Sequence, residues 1–303
     1  MDDLAAVRFA TDAITTPRDG CRGLRSAIFD LEHDIAVAMS ELKREAQVAT
    51  ASADDGAMRA ALEARGRLAS MYAPTRVAGD SLLIVLMVMF RLEWYRALRE
   101  AGMLERRLEE DFVLADIVLF FAEARSLCDR LAEMIARSAK KRGELGDSSL
   151  SKLTTWVLKN PDRASRLLDS RLVAELKDVR WFTSLRDARG DITHRNRQML
   201  KLNANDHRIL LVLTAEGMRS SIRVAPSMMQ GIAVDFGMYA ATTLAHILVL
   251  IDAVAPSVSA WCAIDQQSES IRSHGFRTTG VTTFHDWLTR AEAALSTPVS
   301  AES

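Results

Sequence analysis

Cysteine is scarce in this chain: three in 303 residues (Cys21, Cys128 and Cys262), far apart and without a CxxC pair. That composition supplies neither a disulfide framework nor a thiolate zinc site, and it suits a reducing compartment. The site motifs of several large enzyme classes are also missing. No GxGxxG, GxxxxGK[ST], HExxH or GxSxG occurs, which argues against dinucleotide enzymes, P-loop NTPases, zincins and α/β-hydrolases. Neither sign of charge is in excess. Lys plus Arg number 39 and Asp plus Glu 40, a formal net charge of -1, so any contact with nucleic acid must come from a local basic patch. The opening MDDLAAVRFATDA lacks the basic start and apolar core of a secretory signal, and the expectation is a cytoplasmic protein.

Hydrophobic runs of membrane-spanning quality are lacking too. Leu82 to Phe90 is apolar but ends at Arg91, well short of the roughly 20 residues a spanning helix needs. The stretch from Gly231 to Cys262 is longer but contains Asp235, His246, Asp252 and Pro256, and a charge at mid-bilayer costs at least about 2.5 kcal/mol. The first reads as a central buried helix, and neither is expected to give a membrane partner.

What is present is helical periodicity. Leu24, Ile28, Leu31, Ile35, Ala38 and Leu42 make one apolar stripe. The interruption over residues 49 to 56 and a second helix from Ala57 to Tyr72 then suggest an antiparallel hairpin. Residues 1 to about 20 read as a loose lead-in. After Pro74 a very apolar helix is expected over Asp80 to Ala101, followed by a long one from Leu104 to Lys141. A short helix follows over Ser148 to Leu158, one starts at Asn160-Pro161-Asp162, and another runs from Asp169 into the 180s. Ile209 to Thr214 and Ser220 to Ala225 are β-rich and predict a hairpin. A last long helix covers Ile232 to Val254, and the tail holds a weak helix over Thr282 to Leu295. The expected fold is mainly α, a bundle of long antiparallel helices with a small β-hairpin insertion near residues 209-225. The expected division is an N-terminal hairpin (1-75), a bundle (76-255) and a weakly structured tail (256-303).

One stretch carries a chemical suggestion. Trp181 to Arg197, WFTSLRDARGDITHRNR, holds four arginines (Arg186, Arg189, Arg195, Arg197), Asp187, Asp191 and His194. At 100° per residue, Trp181, Leu185, Ala188 and Ile192 share a core face. Asp187, Asp191 and His194 share the opposite one, where the carboxylates would favour an imidazolium. Arg189 lies about 140° around the helix from His194. Gly190, between them, would have to bend the helix to bring them together, or a second protomer would have to complete the pair. Read more plainly, the same residues are a solvated helix end laced with Asp-Arg pairs worth about 0.3–0.5 kcal/mol each. His246, between Ala245 and Ile247, reads as a satisfied core or interface histidine.

Arg189-Gly190-Asp191-Ile192-Thr193-His194, followed by Arg195-Asn196, resembles the R-x(4-6)-H motif of the HEPN superfamily. The resemblance covers this motif and, more loosely, the helical content of residues 80 to 255. It implies a metal-independent endoribonuclease without cofactor, usually a homodimer with two motifs lining one cleft, often in toxin-antitoxin or antiviral systems. RNA would be the substrate, and an antitoxin or sensor protein a further partner. On that resemblance His194 would move the proton at the ribose 2'-OH or leaving group and Arg189 would hold the scissile phosphate. Asp191, Asp187, Arg186, Arg195 and Asn196 would support them. The family commonly has a polar residue directly after the arginine, where this chain has Gly190. A non-catalytic HEPN-like module binding RNA, a nucleotide or a partner, and an all-α oligomeric scaffold, are the alternative readings.

Overall fold

A computed structural model describes residues 1–15, 22–52, 54–139, 145, 149–178, 180–194, 200–203, 208–212, 229–230, 233–264, 276–277 and 280–297. The fold is mainly helical with a small antiparallel β element. In chain order the helices are α1 (Asp3–Asp12), α2 (Ala27–Ser52), α3 (Asp55–Glu100), α4 (Arg106–Ser138), α5 (Leu150–Lys159), α6 (Pro161–Leu167), α7 (Ser170–Lys177), α8 (Arg180–His194), α9 (Phe236–Cys262) and α10 (Gly280–Ser296). The strands are β1 (Ile14–Thr15), β2 (Gly23–Leu24), β3 (Leu200–Asn203), β4 (Arg208–Val212), β5 (Met229–Gln230), β6 (Ala233–Asp235) and β7 (Phe276–Arg277).

α9 is the centre. Nearly every residue from Phe236 to Val254 is buried, so this helix is apolar on all sides, as a fully enclosed helix must be. Asp235, itself buried, caps its start by accepting from the Met238 N–H at 3.1 Å. Arg208 and Arg290 approach that carboxylate at 3.9 and 3.7 Å. Phe120 and Phe121 of α4 meet Phe236 and Tyr239 in edge-on and tilted contacts with ring centroids 5.3 to 6.1 Å apart. Two helices, α3 and α9, are long and apolar enough by length and composition to cross a membrane. Most of that apolar surface in α9, but only about half of it in α3, lies inside the protein.

The α2–α3 hairpin forms as its stripe requires: Leu24, Ile28, Leu31 and Ile35 are buried, and Asp54 caps α3 by accepting from the Ala57 N–H. Pro74 does not end that helix, contrary to expectation. α3 runs straight through it for 46 residues. A mid-helix proline strips the carbonyl four residues earlier of its partner, here that of Ser70. Arg137, reaching across from α4, donates to the Ser70 oxygen while also pairing with Glu133. The cost of the proline is thus offset by a side chain far away in sequence.

Other expectations also give way. Residues 3–12 are a capped helix rather than a lead-in, with Ala6, Val7 and Ala10 fully buried. Two helices, α7 and α8, stand where one was expected, because the backbone turns at Asp178 (φ -104°, ψ 70°). Pro256 sits inside α9, which ends later, at a left-handed Ala263. α10 is a packed helix with Val281, Phe284, Trp287, Leu288 and Ala291 buried. Its first residue, Gly280, lies so tightly on the Leu86 carbonyl of α3 that a Cβ there would collide with backbone. The divisions expected at 75/76 and 255/256 fall within α3 and α9, and one continuous hydrophobic core runs from Ala6 to Ala291.

The strand expected from Ile209 is β4. It pairs antiparallel with β3 on one edge and with β6 on the other, in a four-stranded order β3-β4-β6-β5. The second strand of the expected hairpin, 220-225, lies outside the described residues. A second small sheet joins β1, β2 and β7.

Replacing Arg137 with Ala is expected to lower stability by about 1–3 kcal/mol, because it orphans the Ser70 carbonyl. Adding Pro74→Ala, which returns a helical N–H to that carbonyl, should recover more stability in the Arg137→Ala background than in the parent. Strictly additive effects in a double-mutant cycle followed by chemical denaturation would sink this account.

Candidate functional site

α8 presents the charged stretch. Its buried side is Phe182, Ser184, Leu185 and Ala188, with Trp181 partly covered at the margin. The anticipated face of Trp181, Leu185 and Ala188 is therefore present but wider than expected, and Ile192 of that set lies outside the residues whose side chains are described. The seat of this face is α4 and α9: the Arg125 guanidinium of α4 lies over the Phe182 ring at 5.1 Å.

Trp181 stacks on His246 of α9, with centroids 5.6 Å apart and planes within 3°. The His246 Nε2 in turn meets the Asp3 Oδ1 of α1 at 2.8 Å. The satisfied interior histidine expected at 246 thus has its partner, from a segment that sequence inspection treated as loose. Three helices meet at this one polar contact.

Behind α8 lies a polar group that sequence inspection missed. The Tyr239 hydroxyl of α9 is buried beside Ser184 and Thr243, and burial pushes the phenol well above its ordinary range, so it stays protonated. The Tyr239, Ser184 and Thr242 hydroxyls all lack a hydrogen bond of good geometry. Buried hydroxyls without partners are unusual in a packed interior. The signal available in the sequence was a tyrosine and two adjacent threonines inside an otherwise apolar helix.

On the outer side, Arg186 and Arg189 are exposed and Asp187 is half-buried. Arg186 donates from Nε to the Asp187 carboxylate at 2.8 Å and from a terminal nitrogen to the Ser151 hydroxyl of α5 at 3.4 Å. Asp187 therefore has its adjacent arginine as a partner. The side chains of Asp191 and His194, and all of Arg195 and Asn196, lie outside the described residues. Their expected grouping with Asp187 lies outside the described residues as well.

Gly190 can be placed. α8 continues without a break from Arg180 to His194, and Gly190 has no left-handed φ. No break in the helix and no left-handed residue at Gly190 turns Arg189 toward His194 within one chain. Along this continuous helix the two positions point about 140° apart. Nor is the glycine held there by crowding, because a Cβ at 190 would meet nothing within 4 Å. Among the described residues no group of three or more His, Cys, Asp or Glu is arranged to hold a metal ion.

Two outcomes follow. Gly190→Ala should raise stability by about 1 kcal/mol, the ordinary gain from replacing a mid-helix glycine where there is room; a lower thermal midpoint would mean that position 190 is strained after all. Asp3→Ala should cost about 1–3 kcal/mol by leaving the buried imidazole without its acceptor, and Asp3→Asn, which keeps an acceptor oxygen, should cost less. Equal losses in thermal melts would contradict a hydrogen-bonding role for Asp3.

No protein-family model, curated protein or solved structure matches the chain.

Proposed function

We propose that this protein is a HEPN-like, metal-independent endoribonuclease in which His194 moves the proton at the ribose 2'-OH or leaving group and Arg189 holds the scissile phosphate. The observation that supports this reading is the placement of α8. Its apolar side is seated on α4 and α9, and Arg186 and Arg189 stand on its outer surface immediately before His194. A phosphoryl transition state needs positive charge positioned in advance, and a guanidinium on a supported helix provides a two-pronged donor for phosphate oxygens. Asp187, held by Arg186, and Asp191, Arg195 and Asn196 would shape the field around the pair. A role in a toxin-antitoxin or antiviral system, with an antitoxin or sensor protein as partner, and a cytoplasmic location go with this reading.

The unbroken helix at Gly190 bears on how the pair would be assembled. Because one chain points the two positions apart, the proposed site is composite: Arg189 from one protomer works with His194 from another. The same unbroken helix favours a second reading, a HEPN-like module that binds RNA, a nucleotide or a protein without cutting.

The test uses single-stranded and hairpin RNA probes with the purified full chain in excess EDTA. Cleavage is expected, reduced on the order of 100-fold or more by His194→Ala and strongly by Arg189→Ala. Mixing the two inactive variants should restore part of the activity, since one hybrid site then holds both residues. Undiminished cleavage in either variant removes that residue from the mechanism, and RNA retention without any cleavage product supports the binding module instead.

A further inference from the structure

The outward side of α3 carries a row that spacing, exposure and charge single out together. Positions 73, 77, 80, 84, 87, 91, 94 and 98 alternate by four and three residues, the heptad spacing of a helix seam. They are Ala73, Val77, Asp80, Ile84, Met87, Arg91, Trp94 and Leu98. On a helix otherwise clamped by α2, α4 and α10, this row stays at the surface. Val77 is 38%, Ile84 37%, Met87 49% and Trp94 49% exposed. Four large apolar side chains in a line along about 26 Å of helix are not scattered singly, which is the arrangement that needs no explanation.

The row also reads the same from both ends. Paired about the point between Val85 and Leu86, Ala73 meets Leu98, Val77 meets Trp94, Asp80 meets Arg91 and Ile84 meets Met87. Each pair joins small to large, apolar to apolar, or acid to base. An antiparallel pair of identical helices demands this correspondence, since a two-fold axis brings each seam position opposite its mirror along the chain. Asp80 is exposed and makes no ion pair among the described residues, and Arg91, whose side chain is 32% exposed, pairs with Asp116 of α4 through Nε and one terminal nitrogen, its other terminal nitrogen having no hydrogen bond among the described residues.

We propose that this row of α3 is the interface for a second copy of the chain, packed antiparallel about a two-fold axis between Val85 and Leu86, with the Asp80 carboxylate of each copy meeting Arg91 of the other. A lipid surface fits the row less well: it would have to accept Asp80 and Arg91 in the middle of the apolar stripe, where charge is costly, whereas a second copy pairs them. The interface is argued from α3 alone and owes nothing to the chemistry proposed for α8, so either can fail without the other.

The experiment is the solution mass of the full chain at micromolar concentration by light scattering after gel filtration. The parent should have at least twice the 33.5 kDa chain mass. Asp80→Arg sets like charges opposite each other and Ile84→Glu puts a charge at the axis; both residues are exposed, so both variants should fall to half the parent's mass and keep its helical circular dichroism. In the double variant Ile84→Cys, Met87→Cys, mild oxidation should yield a covalent dimer that the unsubstituted chain, with its native cysteines, does not form. A monomeric parent, or a parent mass that both charge substitutions leave unchanged, overturns the proposal. So does flotation of the parent with phosphatidylcholine vesicles that Ile84→Glu abolishes, which would assign the row to a membrane.

Discussion

The burial of α9 on nearly every side is the constraint that the other elements serve. A helix with no polar face must be enclosed, and the enclosure is built from α4 at its aromatic end, from α1, α7 and α8 along its length, and from α10 near its start. Of its buried polar groups, Asp235 at the cap is approached by Arg208 and Arg290 and His246 sits between Trp181 and Asp3, while the Tyr239 and Thr242 hydroxyls are left without a hydrogen bond. The functional stretch depends on the same arrangement. α8 is held because Phe182, Leu185 and Ala188 complete the cover of α4 and α9, and the charged side faces out for the same reason.

Much of this was legible from periodicity. The stripe from Leu24 to Leu42 announces α2, and the apolar run from Leu82 to Phe90 marks a helix with a deeply buried side. The helical class with a small antiparallel β element follows from the change of period near Ile209. What could not be read concerns interactions between residues distant in the chain. Pro74 breaks a helix considered alone, and nothing near it announces that Arg137 will take up the stranded carbonyl. α1 was overlooked because its buried side consists of Ala6, Val7 and Ala10, too small to form a conspicuous stripe. Its docking rests on partners more than 200 residues away, such as His246.

The candidate site divides the same way. Helical geometry alone placed Leu185 and Ala188 inward, and the apolar neighbours of His246 marked it as a core or interface histidine. It did not foresee Phe182 beneath Arg125, or the Tyr239, Ser184 and Thr242 hydroxyls behind α8, because those depend on which face α4 and α9 present. Gly190 misled in an instructive way. A glycine within a helix suggests a bend or a close neighbour; here the helix is unbroken and a Cβ at 190 would meet nothing within 4 Å. The effect is to leave bare backbone on the outer side of α8 between an exposed arginine and the histidine of the motif.

The late position of α9 in the chain has a consequence for biogenesis. When a ribosome has completed residues 1 to 235, α1, α4, α7 and α8 exist without the helix they surround, and Phe120 and Phe121 lack the Phe236 and Tyr239 rings they pack against. Long-range contacts of this kind slow folding and lengthen the exposure of apolar surface. The nascent protein therefore spends most of its synthesis as a set of hairpins awaiting their axle, and a pause or truncation shortly before residue 236 would release a chain suited to capture by chaperones or to aggregation rather than a partly functional one.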